Sequence, residues 1–142
     1  MRWDKEVEYK LRNFECNKIA IKKLEERIAI TDEKKYNLKN QKIDEFKVQT
    51  SINNTDILLN LIVECEELRR QLREIRFEVK WLEDALNNLN FEEFRCLEEF
   101  YIKNNRHALN KLITDLNYSK SYVYKLTKDS LKKLTTCLYG SY

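Results

Sequence analysis

Seven side chains that bond well to nucleic acid fall within one short stretch: Ser119, Lys120, Ser121, Tyr122, Tyr124, Lys125 and Lys128. Lysine carries a point charge for phosphates and guanine acceptors, and serine bonds base edges or phosphates. Tyrosine bonds phosphate through its hydroxyl or packs its ring on a thymine methyl. On one helix entering the major groove N-terminus first, these residues read double-stranded DNA. Arg106, Lys111, Lys132 and Lys133 lie on either side and suit backbone clamping. If about five phosphates are neutralised, log K falls with log salt at a slope near −4.5.

No other chemistry has comparable support. His107 is the one histidine, and it sits beside Arg106 at a helix start, where it reads as a surface or capping residue. No cysteine lies at ligand spacing from it, so no metal site and no cofactor are expected. There is no glycine-rich phosphate loop and no nucleophile elbow, and the many carboxylates fall on exposed helix faces. The chain is therefore not expected to be an enzyme.

Charge is distributed unevenly. The segment from Lys103 to Tyr142 carries eight basic and two acidic residues, against nineteen and twenty-two in the preceding 102. The excess of positive charge in the last third points to a polyanionic partner for that segment.

The elements that must position these residues are helices. The 142-residue chain has one glycine, no proline, 36% charged and 42% apolar residues. Turn-formers are too scarce for hairpins, and the mixture suits long amphipathic helices. The expected fold is all-α, with a long N-terminal helical hairpin or coiled coil over 1–89 and a three-helix helix-turn-helix domain over 90–142. Cys16, Cys65, Cys96 and Cys137 are widely spaced and read as reduced thiols, mostly buried. The polar start at Arg2, Asp4, Lys5 and Glu6 shows no secretory signal. No apolar run is long enough to span a membrane. The expected location is the cytoplasm.

The periodicity predicts a helix over 3–30, a second starting at Thr31-Asp32-Glu33, and a break at Gln49 to Asp56, where Asn54 or Thr55 caps the next helix. From Leu58 the apolar positions Leu61, Cys65, Leu68, Leu72, Ile75, Val79, Leu82, Leu86 and Leu89 alternate by three and four, as in a coiled coil. The first helix covers this seam, or a second chain does. In the second case Leu61, Leu68, Leu72, Ile75, Val79 and Leu82 form a homodimer interface. Asn87, Asn88 and Asn90 mark the next boundary. Helices are then expected over 91–103, 106–116 and 119 to about 138.

The last two helices fit a helix-turn-helix. Leu112, Ile113, Leu116, Tyr118, Val123 and Leu126 are spaced to share a small core. Asn117 stands where the turn demands a left-handed backbone, a conformation asparagine tolerates better than other non-glycine residues. Ser119 is placed to cap the second helix. Leu131, Leu134 and Leu138 are positioned to pack back on Phe94, Leu97 and Tyr101.

On these residues, Leu82 to Leu134 resembles the C-terminal part of sigma-factor region four and of phage transcriptional regulators of the ArpU/RinA type. The matching features are Glu93 with Arg95, Tyr101, Leu112-Ile113 with Leu116-Asn117-Tyr118-Ser119, Val123-Tyr124, and Ser130-Leu131 with Leu134. Ile113 replaces the usual alanine, Asn117 the usual glycine, and Phe94 separates the glutamate from the arginine. The resemblance implies a phage or prophage late-gene activator that binds promoter DNA and touches RNA polymerase in a bacterial host cytoplasm. Two alternatives share the same features. One is a DNA-packaging subunit of the small-terminase kind. The other is a protein-interaction or polymerase-binding module built on the long helix.

Overall fold

The computed structural model describes residues 2–44 and 48–142, with side chains described outside 41–54. The described residues are mostly helical and include no strand. The helices are α1 (Trp3–Arg12), α2 (Phe14–Asp44), α3 (Val48–Leu86), α4 (Phe91–Leu97), α5 (Ala108–Leu116) and α6 (Lys120–Tyr139). A π-helical turn, Glu98–Ile102, follows α4 directly. No helix among them is long and apolar enough to cross a membrane.

Two compact units divide the chain: residues 1–18 together with 78–142, and residues 19–77. Both ends of the long helical region, 1–18 and 78–89, thus belong to the same unit as the last third of the chain.

The 19–77 unit is an antiparallel pairing of α2 and α3. Asp32 meets Cys65 and Arg69, while Glu25 meets Arg76, so numbers rise on one helix as they fall on the other. Leu24, Leu68 and Leu72 are buried together, with Ile21, Ile28 and Ile75 packed against them. The heptad seam is therefore covered within one chain over this stretch. Leu68, Leu72 and Ile75, expected at a dimer interface if a second chain covers the seam, are occupied by α2. Leu61 is half-buried, and Val79 and Leu82 are buried in the other unit.

Three expected boundaries are displaced. The break falls at Asn13, not near residue 30. There the side chain and backbone amides of Asn13 both donate to the Tyr9 carbonyl, ending α1 before α2 begins. Thr31 and Asp32 lie inside α2 and start nothing. The Thr31 hydroxyl donates to the Arg27 carbonyl, and Asp32 is spent on ion pairs with Arg69 and Lys35. The third displaced boundary is the Gln49–Asp56 break. Helix α3 runs from Val48 to Leu86, so Asn54 and Thr55 lie inside it and not at its start. Asn, Ser and Thr each cost only a few tenths of a kcal/mol more than good helix formers, roughly, so a cluster of them weakens a helix without ending it. Residues 45 and 46, the end of the helix expected over 31–46, lie outside the described residues.

In the other unit α6 packs on α4, α1 and α5, and α1 also packs on the π-turn. Leu97, Leu131, Leu134 and Leu138 are buried, as are Val7 and Leu11 of α1. Trp3 stacks on Tyr139 at 4.4 Å between ring centres, and Trp81 meets the same ring edge-on at 5.4 Å. The buried side of α6 also carries Thr127, Ser130 and Thr135. Each hydroxyl donates to the carbonyl four residues back, so no polar group is left unsatisfied where neighbouring helices approach.

Candidate nucleic-acid interface

Local chemistry builds the α4–α6 region step by step. Asn90 accepts from the Glu93 amide while the Glu93 carboxylate accepts from the Asn90 amide, a reciprocal cap that starts α4. The π-turn forms because Lys103 donates its amide to Glu98, five residues back. The helix expected to run straight from Phe91 to Lys103 thus changes pitch at its end. Asn104 then takes a positive φ of 49°. Asn105 turns the chain into α5 by accepting from the His107 amide. Arg106 sits in that turn, two residues before α5 begins, and His107 makes no side-chain cap.

The connection from α5 to α6 follows the sequence expectation. Asn117 is left-handed, at φ 58° and ψ 42°, and its amide closes on the Ile113 carbonyl. Ser119 caps α6, its hydroxyl oxygen accepting from the Tyr122 amide at 3.2 Å. Between the helices, Cys96, Leu112 and Val123 are fully buried. Phe100, Leu109, Ile113, Leu116, Tyr118 and Leu126 pack around them. Ile113 is accommodated half-buried at the rim of this cluster, so the larger residue is not forced into its centre.

With Val123, Leu126 and Thr127 turned inward, the other side of α6 faces solvent. Lys120, Ser121, Tyr122, Tyr124, Lys125 and Lys128 are all exposed, as are Ser119 and Arg106. Ser121, Lys125, Lys128 and Lys132 recur at four- and three-residue steps and form one stripe along the helix. Among the described residues, no carboxylate lies within ion-pair reach of Arg106, Lys120, Lys125, Lys128 or Lys132. The single acidic residue of α6 is Asp129. Lys132 stacks over the Tyr142 ring at 5.4 Å.

Two expected clamps are engaged elsewhere. The Lys111 ammonium lies 3.2 Å from the Glu99 carboxylate, and Lys133 lies 3.1 Å from Glu93. For Lys111 sequence reading missed the reason, which is that Glu99 is fully buried. Arg95 at 2.9 Å, Lys103 at 3.4 Å and Asn105 at 3.0 Å complete its shell. Burial would push this carboxyl up. The bonds from Asn105, Lys111 and Arg95 and the charge of Lys103 outweigh it and hold Glu99 at about 2. Arg95 also reaches Asp115 at 2.9 Å. Two ion pairs therefore tie α5 to α4 and the π-turn, and Lys111 holds α5 in place. The signal was present as Arg95–Glu99 and Glu99–Lys103 spacings of four, though spacing alone does not tell which carboxylate is buried.

A second relay reaches α6. The Tyr118 hydroxyl donates to both Glu92 oxygens, at 2.9 and 3.0 Å, and its ring lies 4.5 Å from that of Tyr122. The Glu92 bond and burial raise the Tyr118 phenol above its ordinary value, keeping it protonated as the donor. Among the described residues no cluster of three or more metal-binding side chains occurs.

No protein-family model matches the chain, and no curated protein or solved structure resembles it closely enough to count as a match.

Proposed function

We propose that this protein is a sequence-specific double-stranded DNA-binding regulator, with α5 and α6 forming a helix-turn-helix and α6 lying in the major groove. The observation that carries the reading is the pairing of opposite faces on α6. One face is locked to α4 and α5 through a left-handed Asn117 turn, and the other presents Ser121, Lys125, Lys128 and Lys132 with no carboxylate among the described residues neutralising them. An unpaired basic stripe on a rigidly held helix gives phosphate affinity and a fixed orientation to the residues that reach base edges. Arg106 and Lys120 extend the charged surface at the start of each helix. The transcriptional role, the phage or prophage setting and contact with RNA polymerase rest on the resemblance to ArpU/RinA-type regulators. A homodimer is part of the same proposal, through a surface other than Leu68, Leu72 and Ile75, which α2 already covers, and the binding site reports on it, because two chains read two half-sites about a helical turn of DNA apart.

The test is selection of bound fragments from random duplex DNA at about 150 mM salt. An enriched motif, lost in Lys125→Glu, supports the reading. With Arg106, Lys120, Lys125, Lys128 and Lys132 on phosphates, log K should fall with log salt at a slope of about −4.5. No enrichment, with equal weak binding by both proteins, overturns it. A protein-interaction role is the second reading. It is favoured by Ile57, Leu59, Val63 and Phe77 of α3, which stand largely in solvent.

A further inference from the structure

Resting on the DNA-binding reading above, we infer that Tyr122 is a base-reading residue that recognises a thymine by packing its ring on the C5-methyl group. Tyr122 is the third residue of α6, and the first residues of a recognition helix are those that reach base edges. In the major groove thymine offers the one apolar group, so an aromatic ring delivered there has a single favourable target.

The surroundings of Tyr122 suit it to that task. The residue is 44% exposed yet its ring is not loose, because it rests against that of Tyr118. Tyr118 is anchored in turn by two bonds to Glu92 on α4. The Tyr122 hydroxyl has no hydrogen-bond partner among the described residues. A ring already held in place loses little rotamer freedom on binding, which is how preorganised tyrosines gain affinity from modest contact area. Tyr124 is a poorer choice. Its ring centre lies 6.2 Å from that of Phe100, and it lines a recess shared with Arg2, Tyr101, Lys128 and Leu131, further along α6 from the N-terminal turn that enters the groove first.

The experiment uses the full chain and the duplex recovered from the random pool, with each thymine replaced singly by uracil. For the wild type, one replacement should weaken binding about fourfold, the effect of removing one methyl group from an apolar contact. Tyr122→Phe keeps the ring and should keep that penalty. Tyr122→Ala should bind uracil and thymine duplexes equally. Helical circular dichroism and thermal unfolding of Tyr122→Ala that match those of the wild type show that the variant remains folded. A uracil penalty that persists in Tyr122→Ala, or a flat uracil scan in the wild type, overturns the assignment while leaving DNA binding intact. Failure to recover any duplex overturns the DNA-binding reading and this inference with it.

Discussion

Replacing Glu99 with glutamine removes one negative charge while keeping the shape of a side chain that has no access to solvent. The consequence can be worked from its surroundings. A carboxyl held at about 2 instead of its ordinary 4.5 contributes roughly 3 kcal/mol to folding at neutral pH. Two of its partners, Lys103 and Lys111, have side chains 49% and 45% exposed. Water screens their share, which leaves about 2 kcal/mol. The sign follows from the direction of the shift. A depressed carboxyl stabilises the fold above its unfolded value and loses that contribution as pH falls from about 5 toward 2. Glutamine does not titrate. The variant should be less stable by about 2 kcal/mol at pH 7, and the gap should close as the wild type is acidified. Urea unfolding at several pH values, followed by tryptophan fluorescence, measures it. Trp3 and Trp81 are the only tryptophans, and both flank Tyr139 in the unit that contains Glu99. A gap that stays constant between pH 7 and pH 3, or no gap at pH 7, would refute the reasoning.

Three further outcomes are expected. Asn117→Ala should cost roughly 1 kcal/mol because alanine resists a left-handed backbone, while Asn117→Gly should be neutral or slightly stabilising; thermal unfolding of both variants decides. Ser119→Ala removes the acceptor for the Tyr122 amide and should lower stability by about 1 kcal/mol in the same assay, with helix content nearly unchanged. Cys16 and Cys137 are exposed and should react quickly with a thiol reagent, whereas Cys65 and Cys96 should react only on unfolding, since burial raises both thiols and excludes the reagent; counting fast and slow thiols at neutral pH checks it.

What could be read in advance was whatever depends on neighbours in sequence. Asn90, Asn117 and Ser119 act within four residues of themselves, and each terminates or starts a helix as its chemistry suggests. The spacing of Leu112, Val123 and their neighbours also sufficed to place a shared core. The misreadings have a common cause. Thr31 and Asp32 look like a cap, but Asp32 is used across the hairpin by Arg69 and Cys65. Lys111 looks like a phosphate clamp until Glu99 is known to be buried beneath it. Helix α1 packs on α6, more than a hundred residues away, and nothing in either segment alone announces that pairing. In each case the deciding partner is distant in sequence, and a one-dimensional pattern carries no record of it.

The division of the chain also bears on the order in which it assembles. The unit holding both termini is interrupted at Lys18 and resumes at Glu78, with the 59 residues from Ile19 to Phe77 forming the other unit. Closing an unstructured loop of that length costs about 4 kcal/mol of chain entropy before any contact between its ends is gained. Contacts within the intervening hairpin are more local than those joining α1 to α6, and each rung formed between α2 and α3 shortens the loop still to be closed. Pairing from Asp32–Cys65 through Glu25–Arg76 leaves progressively less free chain between Lys18 and Glu78. Weakening the middle of the hairpin should accordingly slow folding of the distant tryptophan-bearing unit, even though none of the altered side chains belongs to it.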